Sequence, residues 1–291
     1  MDRFVYVRML RDAIYGKVIL ARRAGNQDEL VAIKMMSLSH LAAQTALRGG
    51  SHIKEDGLQE FAILKELPAH PSLLHLIEDF EHDQMLCLVF AYCPYGELFD
   101  HVQSPNKRRR GLDEAVAARW FRQIVMGVAH IHAGGIAHRD LSLENILLDE
   151  QQHCRICDFG LATQCGELAH GRVGKPFYMA PEVYLGDQHS YNGFTADVWS
   201  LGILLFILVC GMPPLELPSE KDARFRIVRQ EGISALVKMW SLRISDRVLD
   251  LLSQLLRVQP SERVSLDAVL DHPWLLQHAA DDPPPPPAYV A

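Results

Sequence analysis

The chain has 291 residues, 48% of them hydrophobic, which is enough to bury a large core in one or two domains. Its net charge of −7 gives no electrostatic reason to expect nucleic acid or an anionic membrane as a partner. The longest apolar run, Ile203 to Cys210, is far shorter than the roughly 20 residues that a bilayer requires. The N-terminus has no apolar targeting segment and the six cysteines lack the dense spacing of a secreted scaffold, so the composition favours a cytoplasmic protein.

The first ninety residues alternate short β-rich runs with turns, and one helical stretch near Leu58 to Leu67 interrupts them. The pattern predicts a small β-rich N-terminal unit over residues 1–91. Its predicted strands are Phe4 to Met9, Gly16 to Ala21, Leu30 to Met35 and Met85 to Ala91.

Long helical periods begin after Gly96. The stretch Thr195 to Cys210 is apolar almost all round, which predicts a helix buried inside a large lobe. We therefore expect a larger helical unit over residues 92–280, followed by an extended proline-rich tail over 281–291. Another helix has an apolar residue at every fourth position on one face: Val116, Trp120, Ile124 and Val128.

Two short motifs carry residues suited to phosphoryl transfer. The first runs from His138 to Asn145 and contains Asp140, and Asp158 opens the second, Asp-Phe-Gly. Transfer of a phosphoryl group requires a carboxylate that orients the attacking hydroxyl, and oxygen ligands that hold Mg²⁺ against the phosphates of ATP. Asp140 suits the first task, whereas Asn145 and Asp158 suit the second.

An apolar run, Val31 to Lys34, ends in a lysine that is able to place its ammonium on phosphates. Taken alone, it would be a strand with a solvated lysine. Glu60 in the following helical stretch would hold this lysine through an ion pair, and Glu66 is the second candidate. Farther along the chain, Glu182 and Arg263 are able to form a buried ion pair that anchors a substrate segment.

Together these motifs resemble those of serine/threonine protein kinases over residues 4–278. The segment Tyr178 to Glu182 has the serine/threonine form, while Leu88 to Phe99 and His272 to Leu275 are most similar to the calcium/calmodulin-dependent and AMP-activated group. The resemblance implies an α+β, two-lobed fold with an ATP cleft between a β-rich N-lobe and a helical C-lobe. It also implies transfer of the γ-phosphoryl of Mg·ATP to serine or threonine hydroxyls of proteins.

The resemblance further implies which residues bind the nucleotide. Ala91 and Cys93 would offer backbone hydrogen bonds to adenine behind the gatekeeper Phe90, and Glu97 would lie near the ribose. The side chains expected to enclose adenine are Val18, Ala32 and Leu147. Glu97 and Glu144 also resemble positions that hold an arginine upstream of the phosphoacceptor in protein substrates.

The chain departs from the kinase pattern in the segment expected to cover the phosphates. A G-x-G-x-x-G sequence is expected there, but Arg11 to Gly16 retains only the last glycine. Glycine allows the backbone to approach phosphates closely, so weaker ATP binding is expected.

A second departure places Ser142 where lysine is expected and Lys175 where threonine is expected. We expect Lys175 to supply the missing ammonium beside Asp140, in which case it would be catalytic; the alternative is a solvated Lys175. Arg139 would need an anion other than an activating phosphate, and Glu167 is the nearest candidate.

These departures leave one competing function, a pseudokinase that acts as an interaction or scaffolding module. The retained lysine, two aspartates and asparagine oppose it. A metabolic small-molecule kinase is disfavoured by Ala180-Pro181-Glu182, which marks a platform for protein substrates.

Overall fold

The computed structural model describes residues 3–26, 29–46, 54–102, 111–164, 169–186 and 189–278. The proline-rich tail and Glu167 therefore lie outside the described residues. The described residues form two lobes, a β-rich N-lobe and a helical C-lobe. The α+β, two-lobed prediction is confirmed.

In the N-lobe, five described strands form an antiparallel sheet in the order β1-β2-β3-β5-β4. The helix α2 covers Gly57–Glu66 and begins at Asp56, whose carboxylate accepts hydrogen bonds from the first turn of the helix. A shorter helix, α1, covers Leu38–Ala43. The strands are β1 (Phe4–Ala13), β2 (Gly16–Arg23), β3 (Leu30–Ser37), β4 (Leu76–His82) and β5 (Met85–Ala91).

The strand β4 was not predicted from the sequence. It lies at the edge of the sheet and carries Glu78, Asp79 and Glu81, with only Leu76 fully buried. Charged side chains are common on edge strands because they discourage pairing with other chains. They also hide the alternation of apolar and polar residues by which a strand is predicted.

The two faces of the N-lobe sheet have different roles. One face packs as a separate core that includes Ile19, Ile33 and Val89. Residues at the intervening positions turn toward the C-lobe, and the strand register aligns Val18 with Lys34. Because side chains alternate between the two faces of a strand, the side chain of Lys34 lies in the space between the lobes.

The C-lobe is built around two long helices. The helix α4 (Glu114–Ala133) buries Trp120, Ile124 and Val128, as its four-residue period predicted. The helix α6 (Gly193–Cys210) begins two residues before the predicted stretch and ends at Gly211, which adopts a left-handed φ of 75°. It is apolar and long enough to cross a bilayer, but 89% of the span is buried inside the protein. The prediction of a buried helix is confirmed.

Shorter elements complete the C-lobe. The elements between Leu98 and Gln164 other than α4 are a short helix, four small strands and a 3₁₀ turn: α3 (Leu98–Val102), β6 (Ile136–Ala137), the turn Leu143–Asn145, β7 (Ile146–Leu148), β8 (Cys154–Ile156) and β9 (Thr163–Gln164). The remaining elements are α5 (Pro181–Tyr184), α7 (Ala223–Glu231), α8 (Ile233–Met239), α9 (Asp246–Leu255), the 3₁₀ turn Pro260–Glu262, α10 (Leu266–Leu270) and α11 (Pro273–Gln277).

Candidate active site

The loop between β6 and the first 3₁₀ turn is held in place by a buried acid from α6. The carboxylate of Asp197 accepts hydrogen bonds from the backbone N–H groups of His138 and Arg139, each at 2.8 Å. His132 contacts the same carboxylate at 2.8 Å. Asp197 is fully buried, so without these partners its charge would be strongly destabilising. No role was predicted for Asp197 from the sequence, although a single acid within an apolar helix indicates a buried polar contact.

Asp140 lies in this loop and contacts two predicted site residues. The amide nitrogen of Asn145 donates to the Asp140 Oδ2 at 2.7 Å and to its backbone oxygen at 2.8 Å. The ammonium of Lys175 lies 3.2 Å from Asp140 Oδ2 and 2.8 Å from the hydroxyl of Ser142. Lys175 therefore points toward the catalytic loop rather than away from it.

Gly174 explains how Lys175 comes so close to the loop. Its φ is +85°, and a Cβ atom at this position would lie 2.8 Å from the backbone oxygen of Arg139. Such a contact is too short for any side chain, so glycine allows the segment to pack directly on the catalytic loop. The lysine that follows is consequently within reach of Asp140.

Lys34 and Glu60 form the expected ion pair. The Lys34 ammonium lies 2.7 and 2.6 Å from the two carboxylate oxygens of Glu60, which is buried on α2. Burial lowers the pKa of Lys34, but the charges of Glu60 and Asp158 outweigh it and hold that pKa above its ordinary value. Lys34 is therefore a fixed, fully charged cation at the cleft.

Asp158 faces the same cation from the opposite side of the cleft. Its Oδ1 lies 3.7 Å from the Lys34 ammonium, and its backbone has a positive φ of 69°. The next residue, Phe159, is buried against the ring of His138. Burial raises the pKa of Asp158, but Lys34 and Arg11 outweigh this and keep it below its ordinary value.

The donor set of Asn145 and Asp158 fits Mg²⁺. The backbone N–H of Cys157, the residue before Asp158, donates to the backbone oxygen of Asn145 at 3.0 Å, which joins the two segments. The amide nitrogen of Asn145 is used by Asp140, which leaves its amide oxygen as the ligand atom. Carboxylate and amide oxygens are the hard ligands that Mg²⁺ prefers.

A cavity of about 350 Å³ opens between the lobes beside these charges. Its volume and mostly apolar walls are typical of a site for a small molecule. All the residues predicted to bind the nucleotide line it: Val18, Ala32, Lys34, Glu60, Phe90, Ala91, Cys93, Glu97, Leu147 and Asp158. Asp140 and Lys175 lie outside this cavity and line a separate, smaller depression.

The segment expected to cover the phosphates is a tight β-hairpin. The backbone is extended strand at Arg11 and Ala13, so neither position requires glycine for its conformation. Gly16 is different, because an added Cβ would lie 2.0 Å from the backbone oxygen of Met35. Tyr15 at the tip is buried, and its hydroxyl donates to the backbone oxygen of Glu55 at 2.5 Å. The retained glycine therefore serves packing within the N-lobe.

The predicted pair of Glu182 and Arg263 is present. The two nitrogens of the Arg263 guanidinium lie 2.5 and 2.8 Å from the two carboxylate oxygens, and the arginine side chain is only 1% exposed. The plane of Trp199 lies beneath the guanidinium, 5.3 Å from its carbon. This two-pronged contact ties α5 to the end of the C-lobe.

Arg139 has partners that the sequence analysis did not find. Its guanidinium donates to the hydroxyl of Tyr191 at 3.2 and 2.9 Å and to the backbone oxygen of His170 at 2.8 Å. Tyr191 is itself buried and donates to the backbone oxygen of Gly171. Among the described residues, the hydrogen-bond partners of this guanidinium are therefore neutral oxygens, while the expected anion, Glu167, lies outside them.

The comparisons with known proteins agree with this geometry. The family model described as "Protein kinase domain" matches residues 11–275. The chain is 38% identical over 267 residues to maternal embryonic leucine zipper kinase of Xenopus tropicalis, covering 90% of this chain and 37% of that protein. It is 35% identical over 272 residues to the serine/threonine-protein kinase GIN4 of Saccharomyces cerevisiae, covering 90% of this chain and 23% of that protein.

A plant relative extends the comparison. The chain is 33% identical over 279 residues to CBL-interacting protein kinase 2 of Oryza sativa subsp. japonica, covering 94% of this chain and 58% of that protein. The chain thus spans less than two thirds of the length of each of these three relatives. With a family model matched over most of its length, and with this fold and cleft, the chain belongs to the protein kinase family and resembles its serine/threonine members.

Proposed function

We propose that this chain is an active serine/threonine kinase domain that transfers the γ-phosphoryl group of Mg·ATP to a hydroxyl of a protein substrate. The observation that carries the proposal is the environment of Asp140, whose carboxylate contacts the amide of Asn145 and the ammonium of Lys175. A carboxylate held in this way is able to orient the attacking hydroxyl and to accept its proton.

The remaining charges suit the binding of nucleotide phosphates. Lys34 is fixed by Glu60, so its ammonium is held in place toward the cleft. Asn145 and Asp158 would hold Mg²⁺, which when bound neutralises charge on the phosphates. Lys175 would stabilise the negative charge that develops on the transferring group, because its nitrogen lies beside the carboxylate that receives the substrate.

A single series of measurements separates this function from that of a catalytically silent scaffold. The purified protein is first titrated with Mg·ATP in a thermal-shift assay and then incubated with labelled ATP and a mixed peptide library. We expect a rise in melting temperature followed by label on serine or threonine. Stabilisation by Mg·ATP without any transfer would contradict the proposed activity, and label on tyrosine alone would contradict the proposed class.

We also propose that the substrates carry an arginine upstream of the phosphoacceptor. Glu144 supports this, since its side chain is only partly buried, its carboxylate interacts with the hydroxyl of Tyr178, and its Oε2 has no hydrogen-bond partner among the described residues. A guanidinium from a substrate would pair with the exposed part of this carboxylate through charge-assisted hydrogen bonds. Glu97 is less available because Arg11 already contacts it at 3.2 Å.

The substrate proposal is tested with a positional peptide library. Arginine two or three residues before the phosphoacceptor should be selected by the wild type, and Glu144→Gln should reduce this selection while transfer to arginine-free peptides remains. A preference for acidic or proline-directed peptides would show that Glu144 has another role.

A further inference from the structure

Arg11 extends from the N-lobe into the cleft and contacts two acids on the other side. It stands on β1, paired with Val18 of β2, at the first position of the expected glycine motif. Its Nη1 lies 3.2 Å from Glu97 Oε1, and its Nη2 lies 3.7 Å from Asp158 Oδ2. The side chain is 46% exposed, so its guanidinium remains accessible from the cleft.

Both acids belong to the proposed nucleotide site. Asp158 is a proposed ligand of Mg²⁺, and Glu97 is placed by the family resemblance near the ribose. Arg11 lies beside Lys34 as a second cation facing Asp158. An arginine in this position supplies positive charge to a carboxylate that would otherwise repel the phosphates of a nucleotide.

The backbone of the hairpin is poorly placed to replace the missing glycine loop. Its two strands stay paired up to the tip, with Asp12 opposite Lys17 and Ala13 opposite Gly16, so no open glycine loop is left to close over phosphates. The tip is fastened to the rest of the N-lobe, because Tyr15 is buried and its backbone oxygen accepts a hydrogen bond from Ser37 at 2.9 Å. A side chain is therefore better able than this backbone to reach phosphates.

We propose that Arg11 binds the phosphates of the nucleotide, taking the place of the backbone contacts of a glycine-rich loop. Its guanidinium contacts Glu97 and Asp158 and would turn from them to the phosphates when a nucleotide binds. A guanidinium suits this exchange because its planar set of N–H donors matches carboxylate and phosphate oxygens equally well. This inference rests on the proposed function, since it takes the cleft to be a nucleotide site.

The role proposed for Arg11 affects how nucleotide binding depends on Mg²⁺. Without the metal, Arg11 is able to lie between Asp158 and the phosphates and separate their negative charges. When Arg11 is removed, Asp158 faces the phosphates directly and binding should depend more strongly on Mg²⁺. Adenosine has no phosphates, so its affinity should not respond to Arg11.

Equilibrium binding tests this claim independently of catalysis. Dissociation constants for adenosine, ADP and ATP are measured by calorimetry, with excess Mg²⁺ and with EDTA, on the wild type and on Arg11→Ala. We expect the variant to bind ADP and ATP about tenfold more weakly in EDTA, and less so in Mg²⁺, because one charge-assisted contact is lost. Adenosine should bind equally, which also shows that the variant is folded.

Two more variants sharpen the measurement. Arg8→Ala removes an exposed arginine from the same strand, whose guanidinium contacts Tyr92 and not the acids of the cleft, so it should affect the three ligands equally. Arg11→Lys keeps the charge but loses the planar fork, and should fall between the wild type and Arg11→Ala.

Three outcomes would overturn the proposal. Unchanged affinity of Arg11→Ala for ADP and ATP would mean that Arg11 does not touch phosphates. An equal loss for adenosine would mean that it only supports the fold of the cleft, and tighter ATP binding would mean that it blocks the site. A wild type that binds ATP without transferring phosphate would contradict only the proposed activity, so the two failures are distinguishable.

Discussion

The two departures from the kinase pattern face the same cleft but differ in their charge balance. Around Asp140 a cation has moved, because Ser142 stands in place of the expected lysine while Lys175 approaches from the neighbouring segment. In the hairpin a cation has been added, because Arg11 stands where glycine is expected. A relocated cation retains its role if its nitrogen reaches the same carboxylate as the original cation. An added cation has no such original partner, so its role depends on the groups that it contacts.

Arg11 and Lys175 contact different site residues, so changes to them should have different effects. Glu97 and Asp158 both line the proposed nucleotide cavity, so we expect the added cation to affect nucleotide binding. Lys175 instead contacts the residue proposed to orient the substrate hydroxyl. We therefore expect changes at Lys175 to alter the rate of transfer, and changes at Arg11 to alter nucleotide affinity.

The largest expected effect comes from Asp140→Asn, which removes the carboxylate that Lys175 contacts. The rate of phosphoryl transfer should fall by about 10²–10⁴-fold, because the substrate hydroxyl loses its proton acceptor. ATP affinity should stay close to that of the wild type, since Asp140 lies outside the nucleotide cavity. Single-turnover transfer and ATP binding are measured on the same preparation.

Asp158→Asn is the contrasting control. It changes a proposed ligand of Mg²⁺, so it should weaken ATP binding in the presence of the metal as well as the rate. An unchanged turnover in Asp140→Asn, or equal effects of the two variants on ATP affinity, would contradict the division of roles between these acids.

The second prediction tests the relocated charge. Lys175→Thr should lower kcat by about 10²-fold, because a fixed cation near the transferring group is lost. Adding Ser142→Lys in the same protein should recover much of the loss, since the ammonium returns to the catalytic loop beside the same carboxylate. Such non-additivity is expected only when two residues share one role.

Steady-state kinetics on the four proteins of this cycle give the measurement. Lys221→Thr is the matched control, because Lys221 is exposed in a C-lobe loop and its loss should leave kcat unchanged. A single variant with normal kcat, or losses that simply add in the double variant, would mean that Lys175 has no part in transfer.

The sequence predicted those parts of the site whose roles follow from local spacing. Lys34 at the end of an apolar run, and Asp140 five residues before Asn145, are patterns within one segment; the structure places Lys34 in the cavity wall and brings Asn145 against Asp140. Asp197 and Tyr191 were missed because their roles depend on contacts across 59 and 52 positions of the chain. No local pattern records which distant loop a buried side chain will meet.

The contacts of Arg11 could not be predicted for a related reason. The sequence shows that a glycine is missing at this position, from which weaker ATP binding was predicted. It does not indicate which groups the arginine contacts instead. Only the pairing of β1 with β2 directs this side chain to Glu97 and Asp158, and that register is fixed by packing of the whole sheet.

The smallest expected effect concerns a third cation, Arg139, whose partner is a neutral hydroxyl. Tyr191→Phe removes hydrogen bonds to Arg139 and Gly171 but leaves the contact between Arg139 and the backbone oxygen of His170. Each lost bond is worth about 0.5–1.5 kcal/mol, so we expect a modest fall in stability and a fall of several-fold in the rate of transfer. Tyr6→Phe, at an exposed tyrosine of β1, is the matched control.

The same contact predicts that transfer does not depend on prior phosphorylation of the segment between Asp158 and Glu182. Because Tyr191 and the backbone of His170 already hold the Nε and Nη2 groups of Arg139, we expect that no phosphate is needed to position this side chain. Phosphatase-treated wild type should therefore be as active as untreated protein, whereas Tyr191→Phe should be slower under both conditions. Loss of activity after phosphatase treatment, with Tyr191→Phe indistinguishable from the untreated wild type, would show that the anchor of Arg139 is an anion after all. In that case an acidic group would hold Arg139, as Glu97 and Asp158 hold Arg11, and the neutral oxygens of Tyr191 and His170 would not be sufficient.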